Sequence, residues 1–361
     1  MVEPDPPFNR STSRQRSTLR EAGIQIERVL VSKPRGFCAG VEMAIKALVW
    51  MLRIFGPPVY CYHQIVHNRS VVEAFEKAGV VFIEDISDVP GGAPVMLSAH
   101  GSAPQVVKEA ERRGGFVVDA VCPLVTKVHH EARTRAKRNY EIVYIGHKGH
   151  DEAVGTMAVA PESMHLVESR QELENLELRS DRAGVALLAQ TTLSHFEWEG
   201  ILEEAKARFG DLWLPGREDL CYATTNRQKA VMELARRADA ILVVGSANSS
   251  NTNALVSVGK KAGCERTARI DGPDDIDPAM LESAKTVGLT AGASCPESLV
   301  EEVIAYLAPS AGVEVLSVID EDEYFPLPPK LRELLAERFG SVVDDRKVTA
   351  ADALAELEDL S

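Results

Sequence analysis

Nowhere in this chain do about 18 apolar residues run together, so the sequence predicts no membrane-spanning helix. It also lacks both glycine-rich phosphate cradles, G-x-x-x-x-G-K-[ST] and G-x-G-x-x-G, and with them any flavin or nicotinamide fingerprint. Basic charge is short: 40 Lys and Arg stand against 54 Asp and Glu, a net charge of −14. That balance argues against broad nucleic-acid binding, which needs a basic face. The six cysteines form no closely spaced pairs, and no secretory leader precedes them, so they read as reduced thiols of a cytoplasmic protein. What remains, 45% apolar and 26% charged, is an ordinary globular composition. At 361 residues the chain exceeds one hydrophobic core, and two or three domains are expected.

Short runs rich in Val and Ile alternate with longer helical patterns. The runs are Arg28–Ser32, Val59–Tyr62, Val95–Ser98, Phe116–Asp119, Ile142–Gly146, Val185–Gln190, Ile241–Gly245 and Val287–Thr290. Such runs predict strands of parallel sheets covered on both faces, and the alternation predicts an α/β protein. Helices are expected over Val41–Ile54, Gln105–Arg113, Gln228–Ala238 and Glu297–Leu307. One Cys in each repeat-sized segment (Cys38, Cys122, Cys221) divides the chain into three similar lobes, 27–122, 123–220 and 221–307, with strand 28–32 joining the third. A disordered arm is expected over 1–26, a segment packing back on the core over 308–339, and a solvated acidic tail over 340–361. The arm is Arg- and Ser-rich, as organelle transit peptides are, but Glu3, Asp5 and Glu21 weigh against that.

Nearly every unusual polar or thiol residue follows one of the runs, as in KPRGFCAG, HQIVHN, AHGSAP, AVCPLVTK, HKGHDEAVGT, TTLS, SANSSNTN and AGASCPES. Parallel sheets bind ligands beyond the carboxyl ends of their strands, so the three lobes point these ends at a common centre. Three thiolates cannot complete a four-thiolate cage, and a [4Fe–4S] cluster held by Cys38, Cys122 and Cys221 keeps one iron without a cysteine. That is the open position a catalytic metal needs. Buried structural thiols, or zinc with a histidine as fourth ligand, remain alternatives. Cys61, Cys264 and Cys295 are read as packing residues.

His67, His100 and His150 share the strand-end edge and suit an anion such as a phosphate, although a lone histidine is more often a hydrogen-bonded core residue. Ser249, Ser250 and Asn251 precede an expected helix over Thr252–Ala262, whose free N–H groups favour anions. Ser294 has two compatible readings, anion contact and a capping box with Glu297. Glu152 is either a proton donor or a helix-start carboxylate, and Thr191 and Thr192 are either strand residues or hydroxyls passing a proton towards the substrate.

In family order, PRGFCAGV, QIVHN, SAHG, CPLVTKVH, GHKGHDEAVGTM, QTTLS, DLCYATTNRQ, GSANSSNTN and TAGAS resemble the 4-hydroxy-3-methylbut-2-enyl diphosphate reductase, or LytB, family from about Val29 to Leu331. The resemblance implies three α/β lobes in pseudo-threefold arrangement around a [4Fe–4S] cluster on Cys38, Cys122 and Cys221. It implies two-electron, two-proton reduction of the allylic diphosphate to isopentenyl and dimethylallyl diphosphate, with loss of water. It assigns the diphosphate to His67, His100, His150, Ser249, Ser250, Asn251 and Ser294, proton supply to Glu152, and the substrate hydroxyl to Thr191. An external electron donor, ferredoxin or flavodoxin, is then expected. Arg133, Arg135, Lys137 and Arg138 form one candidate basic patch for it, a solvated helix face being the plainer reading. The competing classes are a zinc-dependent phosphoester hydrolase and an iron–sulfur redox sensor without turnover.

Overall fold

A computed structural model describes residues 19, 23–113, 115–216, 219–340 and 345–359. Strand β1 (Arg28–Lys33) is the first strand among the described residues. Next come β2 (Val59–Tyr62), β3 (Val80–Ile83), β4 (Val95–Leu97) and β5 (Val117–Asp119). They pair as one parallel sheet in the order β3-β2-β4-β5. The second sheet, β7-β6-β8-β9, uses β6 (Glu141–Ile145), β7 (Met164–Val167), β8 (Val185–Ala189) and β9 (Leu212–Trp213). The third contains β10 (Ala240–Val244), β11 (Thr267–Ile270), β12 (Thr286–Ala291) and β13 (Val313–Ser317).

β1 leaves its sequence neighbours and enters the third sheet, giving β11-β10-β12-β1-β13. Val29 lies opposite Val287 on one side and Val313 on the other, all parallel. Every residue of β6 and of β10 is buried, as strands covered on both faces must be. The α/β class and the three parallel sheets are therefore as the sequence predicts, and β1 joins the third of them.

Both ends of the chain are more ordered than expected. Leu19 and Ile26, within the segment read as a disordered arm, are buried against Val29, Val287 and Leu307; residues 1–18 lie outside the described residues. The segment read as a solvated tail also folds. Thr349 and Asp352 close a capping box on the Ala350–Ala355 helix, and Ala350, Ala353 and Leu357 face inward against the Ala39–Phe55 helix. Their spacing makes a short apolar stripe that the surrounding acids obscure. Leu327, Leu331 and Leu335 join the same core, while β13 completes the third sheet.

Candidate active site

The three strand-end cysteines arrive in the same way. Cys38, Cys122 and Cys221 are the N-cap residues of the helices Ala39–Phe55, Pro123–Lys137 and Tyr222–Ala235. A helix N-terminus offers unpaired N–H groups and partial positive charge, which favour a thiolate. Cys221 Sγ accepts the Thr224 N–H at 3.2 Å and lies 3.0 Å from its hydroxyl.

All three thiols line one cavity of about 110 Å³ and are free. Gly40 keeps the space beside them open, for a Cβ there would lie 2.9 Å from Cys122 Sγ and 3.9 Å from Cys38 Sγ. Burial raises the Cys122 thiol, with Cys38 adding to it, and pushes Cys221 up to about 11. A bound cation inverts that order, because a coordinating thiol gives up its proton to the metal. Three mutually repelling sulfurs at helix N-termini, on a cavity cleared by a glycine, are a donor set that fits an iron–sulfur cluster.

The histidines meet in the same cavity. His67 and His100 stack with ring centroids 3.9 Å apart, and His150 stands edge-on to His67 at 5.2 Å. His150 caps the Asp151–Met157 helix, its Nδ1 accepting the Glu152 N–H at 3.2 Å. Burial lowers all three imidazoles, His100 far below its ordinary value and His150 to about 4; repulsion from His67 adds to the effect at His100 and His150, while Asp151 partly offsets it at His67. His67 Nε2 and His100 Nδ1 are buried without a hydrogen-bond partner. Asp151 faces them at 3.7 and 3.8 Å and is itself held by His63 Nδ1 at 2.8 Å. These two nitrogens and the carboxylate are close enough to surround an ion. The stacked rings, however, aim their lone pairs along parallel planes, and one ring must turn before both could ligate it. Buried nitrogens left unpaired are groups that a polar ligand can satisfy.

The hydroxyl wall completes the cavity. Ser249 Oγ accepts the Thr252 N–H at the start of the Ser250–Lys261 helix, which begins two residues earlier than expected. Asn251 Oδ1 accepts the Ala293 N–H at 3.0 Å. Ser294 Oγ donates to the His67 carbonyl at 2.9 Å. The expected capping box at Ser294 does not form, since Pro296 is the N-cap of Glu297–Leu307.

Glu152 is 2% exposed. One of its oxygens accepts the Thr191 N–H at 2.7 Å and the other the Thr191 hydroxyl at 2.9 Å. Burial nevertheless pushes its carboxyl up to about 7.

Every residue the sequence singled out for the site lines this cavity. Sequence reasoning missed Asp151, Gln190 and Thr224, which share the same strand-end motifs; Gln190 and Thr224 have no metal- or proton-binding habit of their own, and Asp151 was passed over beside Glu152. The candidate basic patch does not stand as a unit, because Arg135 is buried over the Trp213 ring at 4.0 Å while Arg133, Lys137 and Arg138 stay exposed. A wider cavity of about 580 Å³ reaches Phe37, Ala39 and Tyr222, immediately beside Cys38 and Cys221. Tyr222 Oη accepts the Ala39 N–H at 3.1 Å, tying two cysteine-capped helices together. Among the described residues no helix is long and apolar enough to cross a membrane.

The LytB protein family matches residues 29–308. A 4-hydroxy-3-methylbut-2-enyl diphosphate reductase of Streptomyces coelicolor is 44% identical over 88% of this chain and 95% of its own length. The solved structure of the corresponding reductase from Plasmodium falciparum superposes with a TM-score of 0.84 at 34% identity, covering 87% of this chain and 99% of that one. A second solved reductase, described as the terminal enzyme of the non-mevalonate pathway, matches with a TM-score of 0.57 at 27% identity over 78% of this chain and 99% of its own. Lobes, strand-end motifs and sequence identity agree along most of its length, and the chain belongs to the LytB family.

Proposed function

We propose that Cys38, Cys122 and Cys221 hold a [4Fe–4S] cluster beside a diphosphate gripped by the histidine and hydroxyl wall. The chain is a 4-hydroxy-3-methylbut-2-enyl diphosphate reductase, the terminal oxidoreductase of the non-mevalonate isoprenoid pathway. It replaces the substrate hydroxyl by hydrogen using two electrons and two protons, and releases water with isopentenyl and dimethylallyl diphosphate. When bound, the cluster supplies electrons and a Lewis-acidic iron without a cysteine.

The observation that carries the proton chemistry is Glu152, a buried carboxyl whose acid form persists to about pH 7 in the same cavity as the thiols. Hydroxide is a poor leaving group, and protonating its oxygen eases C–O cleavage. Thr191 fixes both oxygens of Glu152 and so fixes the direction in which its proton is offered. His67, His100 and His150 supply N–H donors to the diphosphate, joined by Ser249, Ser250, Asn251 and Ser294. Anchoring that end holds the allylic end in one place. Val41, Val66 and Val125 give the small cavity an apolar part, which strengthens the electrostatic contacts made inside it.

Electrons come from a separate carrier of the ferredoxin or flavodoxin type, since the sequence carries no flavin or nicotinamide loop. The wider cavity brings solvent within one residue of Cys38 and Cys221. Six free thiols suit a cytoplasmic compartment. The test is anaerobic turnover of the allylic diphosphate with a chemical reductant, products identified by mass spectrometry. Both five-carbon diphosphates are expected. No product from brown, cluster-loaded protein would leave the redox sensor, and none from colourless, zinc-loaded protein would leave the hydrolase.

A further inference from the structure

The reduction consumes two protons per turnover, yet Glu152 is only 2% exposed. We propose that His147 is the inlet through which solvent protons reach the cavity, by way of the hydroxyls of Ser250 and Thr192. The inference rests on the proposed role of Glu152.

His147 follows β6 in the GHKGH loop, and its side chain is 40% exposed. Its inner nitrogen, Nδ1, lies 3.3 Å from Ser250 Oγ, which in turn receives the Thr192 hydroxyl at 3.0 Å. Gln190, fully buried, organises the group. Its Nε2 donates to Thr192 Oγ1 at 2.8 Å and Ser250 Oγ at 3.2 Å, while its Oε1 accepts the His147 N–H at 2.9 Å. Thr192 and Ser250 both line the cavity with Glu152, and Thr192 follows the residue that binds it.

Two other histidines near the cavity offer no such path. His129 contacts Thr156 but is buried. His63 reaches Asp151, where the chain breaks, because the next imidazoles stand 3.7 and 3.8 Å away, beyond hydrogen-bond reach.

In the relay, the imidazolium gives its Nδ1 proton to Ser250 Oγ as the hydroxyl proton of Ser250 moves on to Thr192 Oγ1 and that of Thr192 into the cavity. The neutral ring, which still carries its Nε2 proton, turns about its Cβ–Cγ bond to take a solvent proton at the bare Nδ1 and turns back as imidazolium. One proton enters, one is delivered, and no charge is stored. The substrate's own oxygens close the last gap to Glu152. The surroundings keep the ring able to charge. Glu197 faces Nε2 at 3.6 Å and raises the imidazole above its ordinary value, with Glu168 and Glu152 adding to it. His150, the nearby imidazole, is held low by burial first, then by His67, with His147 adding a smaller push.

The test compares H147Q, E197Q and E152Q in cluster-loaded protein with saturating chemical reductant. For H147Q, kcat should fall about tenfold or more, the order expected of a lost proton-transfer group. KM and iron content should stay unchanged, the solvent deuterium effect should grow, and added imidazole should restore kcat while leaving the unaltered protein unaffected. For E197Q, the alkaline limb of the pH profile should move to lower pH, because the carboxylate that retains the ring proton is gone. Unaltered kcat and pH profile in H147Q, with E152Q inactive, would overturn the relay and leave the proposed function intact. A loss in H147Q that imidazole does not restore, with raised KM, would reduce His147 to a support for Ser250 and overturn it too. An active E152Q would overturn the reading on which it rests.

Discussion

Glu152 and Thr191 are joined twice, the backbone N–H of the threonine reaching one carboxylate oxygen and its hydroxyl the other. Both bonds favour the ionised form, and burial outweighs them, leaving the carboxyl near 7. The protonated fraction therefore falls as pH rises through about 7, and kcat should fall with it. Replacing Glu152 by Gln should cut kcat by about 10²- to 10⁴-fold, the usual span for a general acid, with iron content unchanged. Thr191→Val removes a bond that lowers the Glu152 pKa, so the alkaline limb should move to higher pH. A limb that stays where it was would dissociate Thr191 from the titrating group.

The histidine trio should take up protons when it binds an anion. Burial, with repulsion from neighbouring imidazoles, holds His67, His100 and His150 below their ordinary values, and the negative charge of a diphosphate would oppose that shift. Calorimetry of inorganic diphosphate at pH 7 in buffers of different ionisation enthalpy should show net proton uptake, with affinity rising on acidification. The same shifts govern stability without ligand. A depressed histidine contributes stability above its unfolded value of about 6.5, which is lost as pH falls towards its folded value. For His150 the window runs from about 6.5 down to about 4. Melting temperature should fall across that window, and diphosphate should restore much of the loss.

Which strands were legible follows from where they lie. The eight runs picked from the sequence became β1, β2, β4, β5, β6, β8, β10 and β12, and all but β5 are interior strands. The missed strands, β3, β7, β9, β11 and β13, are all sheet edges. An interior strand is buried on both faces and must be apolar throughout, whereas an edge tolerates His165 in β7, Arg269 in β11 or Glu314 in β13. The site was legible for a related reason: apart from Cys122 and Cys221, which follow the edge strands β5 and β9, its residues follow interior strands, in loops marked by glycine and proline. The pairing of Glu152 with Thr191 was not, because their motifs adjoin only after β6 and β8 pair. The folded C-terminal segment escaped because three small contributions, a cap, two alanines and one leucine, hide among acids.

That segment gives a stability prediction separable from chemistry. Leu357 is 3% exposed and packs with Leu331 and Leu335 in the core of the Ala39–Phe55 helix. Leu357→Ala should cost about 2–3 kcal/mol, towards the low end for buried leucines because a chain end can partly collapse onto the space. Denaturant unfolding would measure it, and iron loading should remain full, since no site residue touches the change. An unchanged midpoint would mean that the segment is not docked in solution.

Gly40 should separate folding from cluster binding in a single substitution. It lies in the first turn of the Ala39–Phe55 helix with no left-handed backbone requirement, so alanine suits its local conformation. Helix propensity alone then predicts a cluster-free protein more stable by up to about 1 kcal/mol. The new Cβ would lie 2.9 Å from Cys122 Sγ, closer than such contacts allow, and 3.9 Å from Cys38 Sγ. The cysteine must turn away, and a sulfur turned away cannot share a cluster with the other two. Gly40→Ala should therefore melt no earlier than the unaltered apoprotein under reducing conditions, yet retain little iron and sulfide after anaerobic reconstitution. If it loaded a full cluster, the space beside Gly40 would not be where the three thiols converge on their metal.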